Sequence, residues 1–289
     1  MKKYQSLQLV KKQTYRTNPK LSLGIRVKNE IEAIKYFWDS VKKQTYIEHL
    51  EIVFLDSGST DGTVDFIKDI NCNLYTIEPA EFSFGETCNL IMELSTCDYV
   101  CFFSGHVILE SEKLLEYVIG FFQQNSSVSG YFRQTPNYKI GCTIYDSTFL
   151  KYKYAVHPDK DPILITNEKN GFSNAASLVC RKHWEHVKFR DVIASEDHFW
   201  AKEVIESNMK VYYFHMLNVQ HSHKETLDNI YKRVRINAKS RYPDGVGSIQ
   251  IFMIFIKVFF ALFFNSYNII DSLKYANIHS SAYKNLSKI

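Results

Sequence analysis

Short apolar segments alternate with amphipathic segments through the first half of the chain, and this alternation restricts the possible folds more than any other feature. The apolar segments have the length and composition of strands and cover 21–27, 51–55, 73–77 and 99–103. Helical spacing of apolar residues predicts helices over 29–42, 87–95 and 111–123, with a further helix after the turn at 56–62. The pattern favours an α/β fold with a doubly wound, mostly parallel sheet.

Composition narrows the class of protein. The chain has 289 residues, 45% hydrophobic and 23% charged, which suits one large domain with an appendage or two modest domains. A formal charge of +4 is too small to indicate a nucleic-acid partner. The six cysteines form no CxxC pair, and the first 20 residues lack the apolar stretch of a secretory signal. We therefore expect a cytoplasmic protein.

Candidate ligand-binding loops follow the predicted strands, because ligands on such sheets bind at the carboxyl ends of the strands. The second strand ends in a cluster of turn-forming residues that begins at Asp56. A carboxylate there can accept hydrogen bonds from a base or ribose, and Gly58 and Gly62 allow the backbone to approach a ligand. The same residues also suit an Asx turn followed by a helix cap. The loop is not a P-loop, since no GK[ST] sequence follows.

Three segments together, 25–30, 56–63 and 82–89, resemble the nucleotide-binding half of family 2 glycosyltransferases. The Asp-Ser-Gly-Ser sequence at 56–59 is similar to the rhamnosyltransferase-like, cell-surface polysaccharide branch of that family. The resemblance extends over about 22–223 and implies the GT-A fold, a single α/β domain that binds a sugar nucleotide. It also implies that Arg26, Asp56 and Asn89 face the nucleotide.

The loop after the strand 99–103 reads Phe-Ser-Gly-His, where most family members have an Asp-x-Asp that binds a divalent cation. The resemblance places Ser104 near the nucleotide and His106 at the cation, with His221 and His223 completing the metal site. The cation would be Mn²⁺ or Mg²⁺, and neutral imidazole suits Mn²⁺ better. Alternatively, His106 binds phosphate directly and the other two histidines are surface residues.

The second part of the resemblance comprises the segment 170–176 and the sequence Ser195-Glu-Asp. It implies that Asp197, with Glu196 beside it, deprotonates the acceptor hydroxyl; the alternative is a helix cap. Residues at the donor-sugar or acceptor pocket would be Phe172, Ser173, Asn174 and Trp200, although Trp200 also suits the protein core. The irregular segment 137–174 predicts long loops that shape this pocket.

The end of the chain is first basic and then apolar. The basic residues are Lys232, Arg233, Arg235, Lys239 and Arg241, and the apolar segment covers 249–270. A helix over 251–264 would be roughly 20 Å long, short of the ~30 Å hydrocarbon core. We therefore expect a helix in the membrane interface, with the basic residues at anionic headgroups. A single spanning helix is the second possibility, and a cut near Asp244 should release soluble activity.

These observations predict an N-terminal extension over 1–20, a GT-A catalytic domain over 21–225 and a C-terminal helical, membrane-associated region over 226–289. The expected function is inverting transfer of a sugar from a nucleoside-diphosphate sugar to a saccharide or lipid-linked saccharide in surface polysaccharide biosynthesis, at the inner face of the cell membrane. A nucleotidyltransferase is an alternative, but no glycine-rich loop follows Val27. An inactive, membrane-associated binding protein of the same fold is another.

Overall fold

The computed structural model describes residues 4–167, 171–223, 225–265, 267–284 and 286. The strands in this part of the chain are β1 (Gln8–Lys11), β2 (Leu21–Val27), β3 (Leu50–Asp56), β4 (Asn73–Thr76), β5 (Tyr99–Ser104), β6 (Ile108–Leu109), β7 (Val128–Thr135), β8 (Ile163–Leu164), β9 (Ala176–Cys180) and β10 (Lys210–Gln220). The α-helices are α1 (Ile31–Val41), α2 (Thr63–Lys68), α3 (Phe84–Leu94), α4 (Leu114–Gln124), α5 (Ile144–Lys153), α6 (Arg181–His186), α7 (Glu196–Glu206), α8 (Leu227–Arg241), α9 (Ser248–Phe263) and α10 (Ile269–Lys284).

The strands form one sheet in the order β1-β4-β3-β2-β5-β9-β7-β10-β6, with β8 paired to β10. Neighbours from β4 to β5 are parallel, as is the pair β7 and β10. However, β9 runs antiparallel between β5 and β7, and β1, β6 and β8 are also antiparallel to their partners. The parallel order predicted for the first half of the chain is observed from β4 to β5, whereas the antiparallel strands were not predicted. The sheet is mixed, and hydrophobic periodicity contains no information about the direction of a strand.

Helices cover both faces of the sheet, which explains why β3 is buried at every position. Successive residues of β5 alternate between two apolar clusters. One cluster joins the sheet to α1, α2 and α4, and the other joins it to α3, α6 and α7. The loops at the carboxyl ends of β2, β3 and β5 remain outside these layers and are available for a site.

The first 20 residues are part of the sheet rather than an extension, as far as they are described. Strand β1 pairs with β4, and Gln13 donates to the Leu50 carbonyl and accepts from the Ile52 amide. The segment 137–174, predicted as loops, contains α5 and β8. The sequence interpretation also missed β7, β9 and α6, and it divided β10 in two at the irregular register between Phe214 and Asn218.

The C-terminal helices pack against α5 around a third apolar core. Its buried residues are Tyr145, Ile230, Val234, Val258, Leu262, Ala276 and Ala282. The described part of the region 226–289 is therefore attached to the rest of the protein through this core. Helix α9 has 16 residues and is about 24 Å long. Across the part of the chain that is described, no helix has both the length and the apolar character needed to cross a membrane.

Candidate active site

A cavity of about 790 Å³ lies where the ends of β2, β5 and β10 meet the start of α7. From the sheet side it is lined by Arg26, Ser104, Ser173, Asn174, His221 and His223. Asp197 and Glu196 line it at the start of α7, and the opposite wall consists of α5 and α8. The structure thus brings eight of the thirteen sequence-predicted site residues to one cavity. Asn170, which begins the predicted segment 170–176, lies outside the described residues.

Asp56 ends β3 beside Val27 of β2, but it is buried and does not line the cavity. Its carboxylate accepts hydrogen bonds from the backbone amides of Gly58 (2.9 Å) and Ser59 (3.0 Å) and from the Ser59 hydroxyl. Gly58 has φ +86°, which favours glycine, so the turn depends on both residues. In this conformation Asp56 stabilises its own turn, as the alternative interpretation describes.

Arg26 connects the sheet to the start of α7. Its guanidinium donates to the Phe84 carbonyl at 2.8 Å and lies 3.6 Å from Glu196 Oε1. Phe84 also lines the cavity, and its position depends on Gly85, where an added Cβ would lie 1.8 Å from the Arg190 carbonyl oxygen. Because the side chain of Arg26 is only 19% exposed, its charge lies in a partly desolvated site.

The two adjacent carboxyl groups of α7 have different surroundings. Burial, and then repulsion from the Asp197 carboxylate, raises the pKa of Glu196 to about 7 in spite of Arg26. Asp197 is partly exposed to the cavity and accepts hydrogen bonds from the amides of His198 (2.7 Å) and Asn174 (3.3 Å). The chain therefore presents an oriented carboxylate to the cavity beside a buried group that retains its proton more strongly.

The turn that leads into α7 is held by α8. Ser195 has φ +65°, a conformation that is uncommon for residues other than glycine. Its hydroxyl donates to Asn237 Oδ1 at 3.1 Å and accepts from Arg241 Nε at 3.1 Å, and Ser240 donates to the Ala194 carbonyl. Of the five basic residues that were predicted to face lipid, three line the cavity: Lys232, Arg233 and Arg241.

Three histidines lie close together where the loops after β5 and β10 meet. The potential ligand atoms of His106, His221 and His223 are all within 4.8 Å of one another, and Nε2 of His106 is 3.0 Å from Nε2 of His221. Burial and then the neighbouring imidazoles lower the pKa of His221, and burial and then His106 lower that of His223 to about 3. Neutral imidazoles are the form that binds divalent cations, so the residues fit a metal site.

Three predicted site residues belong to the core instead. Asn89 is buried, and its amide bonds to the backbone N–H and carbonyl of Phe189 and to the Trp184 indole. Trp200 is fully buried, donates to the Val187 carbonyl and packs against Phe172, which is itself 2% exposed. The structure therefore places these three residues in the core rather than at the cavity, because hydrogen bonding and packing within the protein already occupy them.

The residues of α5 at the cavity were not predicted. Tyr145, Asp146, Phe149 and Lys153 occupy one face of α5 at helical spacing and line the cavity opposite the sheet. The spacing itself was a detectable signal, although the helix is only weakly amphipathic. Two polar residues that contact the histidines, Glu30 and Gln134, were also missed. No local pattern distinguishes such residues, because their partners lie 76 and 87 positions away.

The sheet and the cavity at its strand ends, which is lined by an arginine, two histidines and two adjacent carboxyl groups, are typical of an enzyme that binds a polar ligand. The family described as Glycosyl transferase family 2 matches residues 22–182, more than half of the chain. The chain belongs to this glycosyltransferase family. Membership of this family argues against the alternative that the chain is a nucleotidyltransferase.

Two curated relatives are O-antigen chain rhamnosyltransferases. The chain is 26% identical over 202 residues to WbaN of Salmonella anatum and 25% identical over 201 residues to RfbN of Salmonella typhimurium. Each match covers 68% of this chain and 64% of the relative, so the aligned part spans less than two thirds of either relative.

Solved glycosyltransferase structures share the GT-A fold. TarS 1-349 of S. aureus in complex with UDP has a TM-score of 0.57 and 14% identity, covering 93% of this chain and 90% of that chain. The mannosyltransferase PcManGT of Pyrobaculum calidifontis, in complex with GDP-Man and Mn²⁺, has a TM-score of 0.56 and 14% identity, covering 95% and 77%. At this level of identity the likeness concerns the fold.

Proposed function

We propose that the chain transfers a sugar from a nucleoside-diphosphate sugar to a saccharide acceptor with inversion at the anomeric carbon. One observation carries the proposal. Asp197 lines the same cavity as Arg26 and Ser104, which end neighbouring strands of the sheet, and as His221 and His223. A base and a diphosphate-binding surface therefore face a common space, as direct displacement requires.

In the proposed reaction, the Asp197 carboxylate takes the proton of an acceptor hydroxyl as its oxygen bonds to the anomeric carbon. The bond between that carbon and the diphosphate oxygen breaks, and the nucleoside diphosphate leaves with the electron pair. The amides of His198 and Asn174 orient the carboxylate. General-base catalysis of this kind contributes roughly 10²–10⁴-fold.

His106, His221 and His223 would hold a divalent cation, for which three imidazoles favour Mn²⁺ over Mg²⁺. When bound, the cation supplies positive charge to the departing diphosphate. Support comes from the neutral state of the buried imidazoles and from the convergence of their ring nitrogens. The similar mannosyltransferase structure, which contains GDP-Man and Mn²⁺, also supports the assignment.

The acceptor would occupy the cleft between α5 and α8. Its walls combine aromatic rings with carboxylate, amide and guanidinium groups, which suit the apolar faces and hydroxyls of a sugar ring. The groups are Tyr145, Asp146, Phe149, Asn229, Arg233 and Asn237. The names of the two Salmonella relatives support a deoxyhexose such as rhamnose as the sugar, and a saccharide or lipid-linked saccharide of a surface polysaccharide as the acceptor.

We also propose that the C-terminal helices rest in the interface of the inner membrane face. The most exposed apolar side chains of this region include Ile249 (80%), Phe264 (73%) and Ile270 (73%), with Phe252 at 61%. Side chains of this kind favour the boundary between headgroups and acyl chains. A lipid-linked acceptor would then enter from the bilayer beside α8.

A donor screen that measures free nucleoside diphosphate tests the proposed activity. Purified protein is incubated with UDP-, GDP- and dTDP-sugars, detergent-solubilised lipid-linked saccharides and Mn²⁺. We expect one donor to turn over, and Asp197→Asn to reduce kcat roughly 10²–10⁴-fold with little change in nucleotide affinity. The matched control is the exposed Asp244→Asn. Undiminished turnover by Asp197→Asn would remove the proposed base, and nucleotide binding without any transfer would favour the inactive binding protein.

Sedimentation with vesicles tests the membrane proposal. We expect the chain to sediment with vesicles that contain anionic lipids, and the double variant Phe252→Ser, Phe264→Ser to remain largely in the supernatant. The matched control, Val156→Ser, changes an apolar residue that is 65% exposed but lies outside the C-terminal helices. Equal sedimentation of both variants would contradict the proposed contact surface.

A further inference from the structure

Two of the clustered histidines each have a polar partner on the ring nitrogen that faces away from the cluster. Nδ1 of His106 is 3.0 Å from Glu30 Oε1, and Nδ1 of His221 is 2.8 Å from Gln134 Oε1. A carboxylate or an amide oxygen accepts hydrogen bonds, so each Nδ1 carries the proton. In a neutral imidazole the other nitrogen, Nε2, then has a lone pair and no proton.

The two Nε2 atoms are directed at each other. They lie 3.0 Å apart, and the rings are nearly parallel at an angle of 21°. When both rings are neutral in this tautomer, neither Nε2 has a hydrogen to donate, so the 3.0 Å contact requires a positive charge, a proton or a metal cation, at the two nitrogens. Without that charge their lone pairs repel in a partly desolvated site. The geometry therefore favours a cation at this point.

Gln134 is buried and Glu30 is half-buried, and each has a second polar atom that is buried without a hydrogen bond. Within the described residues, Glu30 Oε2 and Gln134 Nε2 have no partner. A buried polar atom left in this way is destabilising. Glu30 precedes α1 and Gln134 is near the end of β7, so the fold brings together residues that are distant in sequence. If Glu30 and Gln134 served only to stabilise the fold, we would not expect each to leave one polar atom without a hydrogen bond.

We propose that Glu30 and Gln134 are positioning residues, which fix the Nδ1–H tautomers of His106 and His221 so that both Nε2 atoms face one divalent cation. This inference rests on the proposed metal site at His106, His221 and His223. It extends that proposal to the choice between Mn²⁺ and Mg²⁺. A site that presents fixed imidazole lone pairs favours Mn²⁺ over Mg²⁺, whose preferred ligands are oxygens.

The first experiment measures the tautomers in the metal-free protein by two-dimensional NMR of ¹⁵N-labelled histidine. We expect the Nδ1–H form at both rings. Glu30→Ala should release the tautomer of His106 alone, and Gln134→Leu that of His221 alone. Gln134→Glu retains an acceptor oxygen and should preserve the tautomer. Glu32→Ala, an exposed carboxylate on the same helix, is the matched control. An Nε2–H signal from either ring of the unaltered protein would overturn the inference.

The second experiment measures Mn²⁺ affinity by electron paramagnetic resonance, with Mg²⁺ as competitor. Loss of an outer partner of a metal-binding histidine typically costs about 10–100-fold in affinity. We expect that loss in Glu30→Ala and Gln134→Leu, and near-normal affinity in Gln134→Glu and Glu32→Ala.

Failure of the inference and failure of the proposed metal site give different results. If His106→Ala abolishes Mn²⁺ binding but Glu30→Ala and Gln134→Leu bind normally, the positioning role is wrong and the metal site stands. If the unaltered protein does not bind Mn²⁺, or binds it equally well after His106→Ala, the proposed metal site is itself wrong. Sugar transfer would still be tested separately by the donor screen.

Discussion

The proposed donor side and the proposed acceptor side of the cavity are constructed differently. On the donor side, Arg26 and Ser104 are neighbours in register at the ends of adjacent strands, so the sheet sets their positions. On the acceptor side, α5 and α8 are held by a separate core that they share with α9 and α10. The donor side therefore depends on backbone pairing within the sheet, and the acceptor side depends on side-chain packing within a helical bundle.

This difference changes the role of the C-terminal region. The sequence alone predicts an attachment, so that a cut near Asp244 should release soluble activity. In the structure, a cut at that point removes α9 and α10, and with them the apolar partners of α8. The same α8 forms one wall of the cavity and holds the turn before Asp197. We therefore expect the truncated chain to lose acceptor use rather than to become a soluble active enzyme.

The largest expected effect tests the dependence of the acceptor side on the bundle core. Leu262 is fully buried, and Leu262→Ala should lower the free energy of unfolding by about 2–5 kcal/mol in urea denaturation. The acceptor KM should rise while nucleotide affinity stays constant. The matched control, Phe264→Ala, removes a side chain that is 73% exposed and should stay within about 0.5 kcal/mol. A parallel loss of nucleotide affinity in Leu262→Ala would remove the distinction between the two sides.

The next effect concerns Glu196, where the two sides meet. Its pKa rises from 4.5 to about 7 on folding, so the native state retains a proton that the unfolded state releases between these values. Its contribution to stability is therefore complete below pH 4.5 and is lost as the pH rises through about 7, by up to about 3 kcal/mol.

Glu196→Gln should abolish this dependence. Urea denaturation at several pH values should show the variant gaining stability relative to the unaltered protein between pH 4.5 and pH 7. The exposed Glu206→Gln serves as control. A constant difference between Glu196→Gln and the unaltered protein would contradict the raised pKa.

The next prediction tests whether Asn89 belongs to the core of the donor side or to its binding surface. Asn89→Ala leaves the amide and carbonyl of Phe189 and the Trp184 indole without their partner, so we expect a loss of about 2 kcal/mol in unfolding free energy. Nucleotide affinity, measured by calorimetry, should remain unchanged when the variant is folded. A large fall in affinity without a fall in stability would restore the nucleotide-binding interpretation.

The same contrast explains how much could be predicted from sequence. Strand β2 was predicted with its observed bounds, and β3 and β5 within one residue at each end, because a buried strand is a short apolar run that ends at a polar loop. The convergence of His106, His221 and His223 was predicted from resemblance, and the structure brings the three rings together. The sequence did not indicate that Asn89 lies in the core rather than at the cavity, because a residue beside a site and a residue beneath it have the same sequence pattern.

The residue spacing of α5 was a local signal for the acceptor side, but the contacts between its elements were not predictable from sequence, for a physical reason. Tyr145 bonds to His279 across 134 positions, and Ser195 bonds to Asn237 across 42. Helix α5 is only weakly amphipathic, because its inner face combines the aromatic and charged groups that line the cavity. Such contacts are determined by tertiary packing, and no periodicity in a single segment encodes them.

The smallest expected effect tests whether the helical bundle influences catalysis as well as acceptor binding. Arg241→Ala removes one hydrogen bond from a charged donor to Ser195, whose positive φ directs the chain into Asp197. Because such a bond contributes about 1.5 kcal/mol, we expect kcat to fall roughly tenfold with nucleotide affinity unchanged. Lys239→Ala, on the same helix but outside the cavity, is the control. If kcat were normal and only the acceptor KM rose, Arg241 would bind the acceptor directly, and the bundle would shape the cleft without orienting the base.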